Sequence, residues 1–262
     1  MNLLENKKGI IIGVANEKSI CWEIAKQCLE NGAKIVLSYT DATKTRIEKL
    51  IEGKKAFCEK CDCGYDEDIK KFFEFSKKQL ENIDFIVCAP AFANKEALKG
   101  KYYNISREDF LQSMNISVYS LTAIIKQFEP ILNKNCSILT LSYYGAEKVI
   151  PNYNIMGVAK SALETSVKYL ANDLGDKGIR INSISSGAIK TLASSAIGDF
   201  KQVLSFGEKF SPLKRLTTQD DVAKTAIFLL SDLSKGITAE NIHVDCGLNS
   251  IGMFFDKENK NN

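Results

Sequence analysis

"GIIIGVANEKSICWEIAKQCLENGAKIVLSY", residues 9–39, decides the fold. Its opening, 9–15, is an apolar run too short for a helix that ends in a glycine-containing turn. The next segment places Ile20, Ile24, Cys28 and Leu29 on one helical face and stops at Asn31-Gly32, a helix C-terminal signal. "KIVLSY" (34–39) then reads as a second strand. Strand, helix and strand in that order form a crossover unit, and parallel pairing is what requires a crossover.

The alternation persists along the chain. Strand "KAFCEKC" precedes helix "DEDIKKFFEFSKKQL", and strand "DFIVCA" (84–89) precedes a long helix around 106–128. "CSILTLS" (136–142) is followed by a helix over about 153–174, strand "IRINSIS" (179–185) and a looser stretch from 186 to about 217. Helix "QDDVAKTAIFLLSDL" and a last strand near 240–244 close the pattern. The expected fold is α/β: a Rossmann-like, doubly wound parallel sheet of about seven strands flanked by helices. A ligand of such a sheet lies outside the carboxyl ends of its strands. Residues 1–254 read as a single dinucleotide-binding and catalytic domain, and 255–262 as a polar, disordered tail.

Composition narrows the function classes. A chain of 262 residues with 45% hydrophobic and 26% charged residues is an ordinary globule with a full core. Its net charge of +3 is small and its lysines are dispersed, which argues against nucleic acid. The N-terminus has no apolar stretch long enough for a signal peptide or a membrane span, so a cytoplasmic protein is expected. Eight cysteines in a chain of this size read as reduced thiols. "CEKCDC" (Cys58, Cys61, Cys63) has the look of a metal cluster, but no second cysteine pair accompanies it and His243 is the only histidine. No metal is expected.

The turn "GVANEKSI" (13–20) stands where a dinucleotide pyrophosphate would sit, although it is not GxGxxG. Gly13 and Ala15 are small enough for close backbone approach, and Ser19 begins a helix whose free amides face the turn. After the second strand, Thr40 and Asp41 offer a hydroxyl and a carboxylate where a 2′-phosphate site wants a cation. NADH is favoured, with NADPH second because Lys44 and Arg46 follow closely. Further along, Tyr143, Tyr153 and Lys160 gather two phenols and one ammonium in a short span, a set able to handle a proton and a developing negative charge without histidine. On a shared helix, Tyr153 and Lys160 would face one way about 10 Å apart along the axis.

The stretches "GVANEKSI", "CDC" (61–63), "SMNISVYSL" (113–121), "LTLSYYGAEKVIPNYNIMGVAKSALE" (139–164), "YLANDLG" (169–175), "IRINSIS" and "IKTLASSAIGDF" (189–200) together resemble the NAD-dependent enoyl-acyl-carrier-protein reductases. These are divergent short-chain dehydrogenases/reductases of bacterial type II fatty acid synthesis. The spacing Tyr-x6-Lys is theirs, whereas ordinary members of the superfamily have Tyr-x3-Lys. The resemblance implies that Tyr153 meets the substrate carbonyl, that Tyr143 is the second tyrosine implicated in proton delivery, and that Lys160 bonds the cofactor ribose. It places Gly13, Ser19 and Ile20 at pyrophosphate and ribose, Thr40 at the adenosine ribose, and Asp62 and Cys63 beside the adenine. Pro90 falls at the edge of the nicotinamide site, where the family usually has an apolar residue with an amide hydrogen. Ile189, Lys190, Thr191, Leu192 and Ala193 match the segment touching nicotinamide and pyrophosphate. Ala93, Met156 and Phe200 fall on the acyl side, and 190–210 corresponds to the substrate-binding loop. Apolar Leu192, Ala196, Ile197, Phe200, Val203 and Leu204 suit an acyl chain there, and suit equally a helix packed on the core. An acyl carrier protein as partner and a homotetramer are also implied. The alternatives are a superfamily member acting on another carbonyl or activated alkene, and a catalytically silent dinucleotide-binding protein.

Overall fold

The computed structural model describes residues 2–192, 194 and 197–254. Ala193, Ala196 and the tail 255–262 lie outside the described residues. Seven strands form one sheet: β1 (Lys8–Ile12), β2 (Lys34–Tyr39), β3 (Ala56–Lys60), β4 (Ile83–Cys88), β5 (Leu132–Tyr143), β6 (Arg180–Ser186) and β7 (Asn241–Val244). Their spatial order is β3-β2-β1-β4-β5-β6-β7, with every pairing parallel. The helices are α1 (Ile20–Glu30), α2 (Lys44–Ile51), α3 (Asp66–Leu80), α4 (Arg107–Met114), α5 (Ser120–Phe128), α6 (Asn154–Leu174), α7 (Phe200–Phe210) and α8 (Gln219–Leu230).

Strand alternation sends side chains to two cores. Ile10, Ile12, Ile86, Ile138 and Ile181 pack with Phe72, Phe128, Leu163 and Val167 from α3, α5 and α6. Ile11, Val87, Leu139 and Ile184 pack on the other face with Trp22, Ile24, Val222, Ala226 and Leu230 from α1 and α8. Each such buried aliphatic side chain contributes about 1.5–3 kcal/mol, which is why strands covered on both faces read as continuous apolar runs.

Two elements differ from the sequence expectation. The long helix around 106–128 is interrupted by a π turn, Asn115–Tyr119, between α4 and α5. Wide turns of this kind tend to sit at functional sites, and here the turn delivers Ser117 to the loop after β4. The Ser117 hydroxyl accepts from Phe92 N at 3.0 Å and lies 3.2 Å from Phe92 O. Within the stretch read as looser, residues 200–210 form α7, so the second half of the expected loop 190–210 is helical. Phe206 and Phe210 meet at 4.8 Å between ring centroids, and Phe254 sits 4.5 Å from Phe206. That aromatic cluster anchors a helix whose apolar positions carry the helical period; taken as acyl-chain contacts, they had left the element undecided.

The strand order reverses between β1 and β4, which opens the crevice where ligands of such folds bind. Gly13 sits at its floor with φ +115, and a Cβ there would lie 2.7 Å from the Ala89 carbonyl oxygen. Both facts demand glycine. Gly13→Ala is expected to destabilise the fold by about 1–3 kcal/mol, read as a lowered urea midpoint at unchanged m-value. An unmoved midpoint would contradict the strain.

Candidate active site

The expected site residues lie in spatial order along the carboxyl edge of the sheet. Asp62 and Cys63 follow β3, Thr40 follows β2, Gly13 follows β1, Pro90 follows β4, Tyr143 ends β5, and Ile189 to Leu192 follow β6. Six adjacent strands span roughly 24 Å at their usual spacing, an edge long enough for an extended two-base ligand.

At one end Thr40, Asp62 and Cys63 line a cleft of about 1130 Å³ together with Tyr65, Arg107, Leu111 and Asn115. The Cys61 and Cys63 sulfurs are 3.9 Å apart. Beside Thr40, the Asp41 carboxylate takes the Lys60 ammonium at 2.7 Å, so the nearest cation is already engaged. Lys44 lies over the Tyr39 ring and pairs with Glu48. In the centre, Ser19 is the N-cap residue of α1, yet its hydroxyl makes no cap bond to the helix. It accepts instead from the amides of Ala15 and Asn16, each at 3.0 Å, and so closes the turn over Gly13. The first amides of α1, beginning at Ile20, are thereby left facing the crevice.

At the other end stand the two tyrosines. Tyr143 is the last residue of β5, and Tyr153 immediately precedes α6. Their rings meet edge to face with centroids 4.9 Å apart. Gly145 and Gly157 form the seat: a Cβ on Gly145 would fall 2.4 Å from the Tyr153 ring, and one on Gly157 would fall 2.7 Å from the Gly145 carbonyl. Tyr153 is 8% exposed, and burial pushes its phenol well above the ordinary range; burial pushes Tyr143 up to about 12. Both phenols are therefore protonated donors at neutral pH. Lys160 lies two turns along α6, 5% exposed, donating to the Leu141 carbonyl at 2.6 Å. Burial brings its ammonium down to about 8, partly opposed by Cys21, Glu164 and Cys88.

An apolar cluster packs on the phenols: Ala93, Ala97, Leu98, Ile155, Met156 and Ile197 gather with them. The sequence-predicted Ala93 and Met156 thus join Tyr143 and Tyr153. Phe200 opens α7 half-buried, one residue beyond Asp199, whose carboxylate Asn152 holds at 3.3 Å. Ile189 is buried, Lys190 exposed, and Thr191 forms a reciprocal turn with Ser194 through bonds of 2.8 and 3.1 Å. The stretch 113–121 carries part of the family resemblance but no expected site residue. The structure singles out Asn115 on the cleft wall, and Ser117, which also reaches the Met156 sulfur at 3.8 Å.

Comparison with known proteins gives a consistent answer. The profile of the Enoyl-(Acyl carrier protein) reductase family matches residues 13–249. The chain is 49% identical over 253 residues to the enoyl-[acyl-carrier-protein] reductase [NADH] 1 of Rhizobium meliloti, covering 96% of this chain and 93% of that one. To the corresponding Rickettsia typhi reductase it is 50% identical, covering 95% and 97%. Its fold is similar to the crystal structure of the Anaplasma phagocytophilum enoyl-(acyl-carrier-protein) reductase in complex with NAD, with TM-score 0.93, 49% identity and coverage of 97% and 98%.

The seat of Tyr153 can be tested. Gly145→Ala is expected to displace that ring and cost about 1–3 kcal/mol by overpacking. The crossed tyrosine pair should then lose its near-UV circular dichroism; a wild-type spectrum and melting temperature would refute the arrangement.

Proposed function

This chain belongs to the enoyl-(acyl carrier protein) reductase family and is an NADH-dependent oxidoreductase of fatty acid biosynthesis, and from that premise we propose that Tyr143, Tyr153 and Lys160 are its catalytic residues. The observation that carries the assignment is two crossed, buried phenols beside a buried ammonium, all at the tip of β5 and the first turns of α6.

The residues present fit a dinucleotide. Gly13 leaves room no other residue would, the Ser19-closed turn presents amides to a pyrophosphate, and Thr40 with Asp41 suits a free ribose hydroxyl better than a phosphate. Ile20, Asp62, Cys63, Pro90 and the segment Ile189 to Leu192 complete its line of contacts along the sheet edge. Ala193 belongs to the same proposal but lies outside the described residues. NADH held along this edge would supply the hydride that reduces the trans-2 double bond of the enoyl thioester.

The chain's own groups do the rest. Tyr153 donates a hydrogen bond to the thioester oxygen, and this bond strengthens as negative charge gathers there, so it favours the transition state over the ground state. Its raised pKa keeps the proton on the phenol throughout. Tyr143, crossed against it, is the second donor and the residue we assign to proton delivery. Lys160 holds the ribose and adds positive charge at the same spot. Ala93, Met156 and Phe200, with Ile197 and the apolar face of α7, line the acyl side. Segment 190–210 covers the substrate, with α7 as its helical half.

The substrate is presented on an acyl carrier protein. We assign a homotetramer, a reading supported by the apolar ring of Tyr169 on α6, which is 72% exposed. No helix among the described residues is long and apolar enough to cross a membrane, and a cytoplasmic site of action accords with a carrier-bound substrate.

Tyr153→Phe should lower kcat for crotonyl-CoA reduction by about 10²-fold or more with NADH affinity kept, since only the transition-state donor is lost. Lys160→Ala should weaken NADH binding as well. Unchanged rates in both variants would defeat the assignment. A second expectation concerns pH. With the Lys160 ammonium lowered to about 8, it is charged below that value and neutral above it, so NADH affinity should fall as pH rises through about 8. Fluorescence titration of NADH between pH 6.5 and 9.5 checks this, and a flat profile would contradict it.

A further inference from the structure

All eight cysteines are free thiols, Cys58 and Cys246 half-buried and the others buried. Among the described residues one pair of sulfurs touches: Cys61 and Cys63, 3.9 Å apart. The pair directly follows β3, at the end of the sheet edge where Thr40 and Asp62 stand. Cys63 lines the cleft of about 1130 Å³ there. Cys61 belongs to the core and is tied to the neighbouring strand, its amide donating to the Tyr39 carbonyl at 2.8 Å. Between them, Asp62 opens a turn by accepting from the Gly64 amide at 2.9 Å. Two sulfurs so placed need only about 2 Å of further approach to bond.

We propose that Cys61 and Cys63 are a modification site, a dithiol that a peroxide converts to a disulfide, and that this bond weakens NADH binding. The proposal rests on the reading above, in which Cys63 stands beside the adenine. The chemistry balances in two steps. Cys63 Sγ, having given its proton to water, attacks one oxygen of hydrogen peroxide; the O–O bond breaks, the departing hydroxide is protonated to water, and Cys63 becomes a sulfenic acid. Cys61 Sγ then attacks that sulfur. The S–S bond forms as the S–O bond breaks, and hydroxide leaves with the Cys61 proton as a second water. Two thiols lose two electrons between them, and one peroxide is reduced to two waters.

The pair divides the two roles. The hydrogen bond to Cys63, and then burial, push the Cys61 thiol up, so Cys61 keeps its proton and the sulfur on the cleft meets the oxidant first. Cys61 is also the anchored member, through Tyr39, so bonding draws Cys63 off the cleft wall together with Asp62 and Gly64 of the same turn. Coupling of this kind is reciprocal: a disulfide that weakens NADH is one that bound NADH disfavours. The dinucleotide also fills the cleft by which a peroxide reaches Cys63. The two half-buried thiols have no such partner. Cys58 touches no other sulfur among the described residues, and Cys246 meets the Thr217 hydroxyl at 3.6 Å, so oxidation there adds oxygen and forms no internal disulfide.

The test treats the wild type, with and without saturating NADH, and Cys61→Ala with millimolar hydrogen peroxide. It reads intact mass, the oxidised peptide and NADH affinity by fluorescence titration. The free wild type should lose the mass of two hydrogens within the peptide holding Cys61 and Cys63 and bind NADH about tenfold more weakly or worse, and dithiothreitol should restore both. NADH present during treatment should slow the mass change by about tenfold. Cys61→Ala, lacking the second thiol, should gain oxygen at Cys63 that dithiothreitol does not remove. Should that variant fail to fold, the mass and recovery of the wild type decide alone. Oxygen added only at Cys58 or Cys246, with no bond between Cys61 and Cys63, would overturn the site. A mapped disulfide with unchanged NADH affinity would overturn its effect on the cofactor. Reduced wild type that binds no NADH would instead remove the cofactor reading itself, and this proposal with it.

Discussion

The structure depends on the unbroken parallel register between β5 and β6, from Ser137 opposite Arg180 to Tyr143 opposite Ser186. Side chains alternate faces along a strand, so a slip of one residue would send Ile138 and Ser142 to the wrong side and turn Tyr143 away from Tyr153. The register is held where slips are costly. Thr140 donates to the Cys88 carbonyl at 2.7 Å and Ser137 to the Leu229 carbonyl at 2.8 Å, both in the interior. Arg180 is fixed at the foot of β6 by the carbonyls of Leu229 and Ile237. Apolar packing gives the sheet its two faces, and these directed bonds decide which residue lands on which face.

From that register the chemistry follows by adjacency. Leu141 offers its carbonyl to Lys160, Ser142 its hydroxyl to Glu164, and Tyr143 its ring to Tyr153, three consecutive residues meeting three points on α6 and its first turn. Burial then sets protonation. It raises both phenols, which stay donors, and lowers the ammonium, which becomes responsive near neutral pH. One physical cause therefore shifts the two phenols upward and the ammonium downward.

Much of this was legible in the sequence because it obeys short-range rules. The seven strands and most helices announce themselves by period, and the site residues fall at strand ends, where a parallel sheet puts its ligands. The turn at Gly13 was readable without a glycine fingerprint, since small residues between strand and helix are all that close approach needs. What escaped was non-local. The π turn at Asn115–Tyr119 carries Ser117 against Phe92, twenty-five positions away in sequence, a partner no window of helical period contains. α7 was legible in period but was read through its apolar residues, and only the ring of Phe254 near the C-terminus shows what that face packs against.

Trp22, the only tryptophan of the chain, is buried on α1 in the core beneath the crevice, two residues past the amides that face it. Intrinsic indole emission from this protein therefore originates at a single known depth, with no other source to deconvolute. The emission band of a buried indole overlaps the absorption of a reduced nicotinamide, which makes energy transfer between them an unlabelled gauge of occupancy. The same residue that fills the core beside the nucleotide turn thus equips the molecule with a built-in optical reporter.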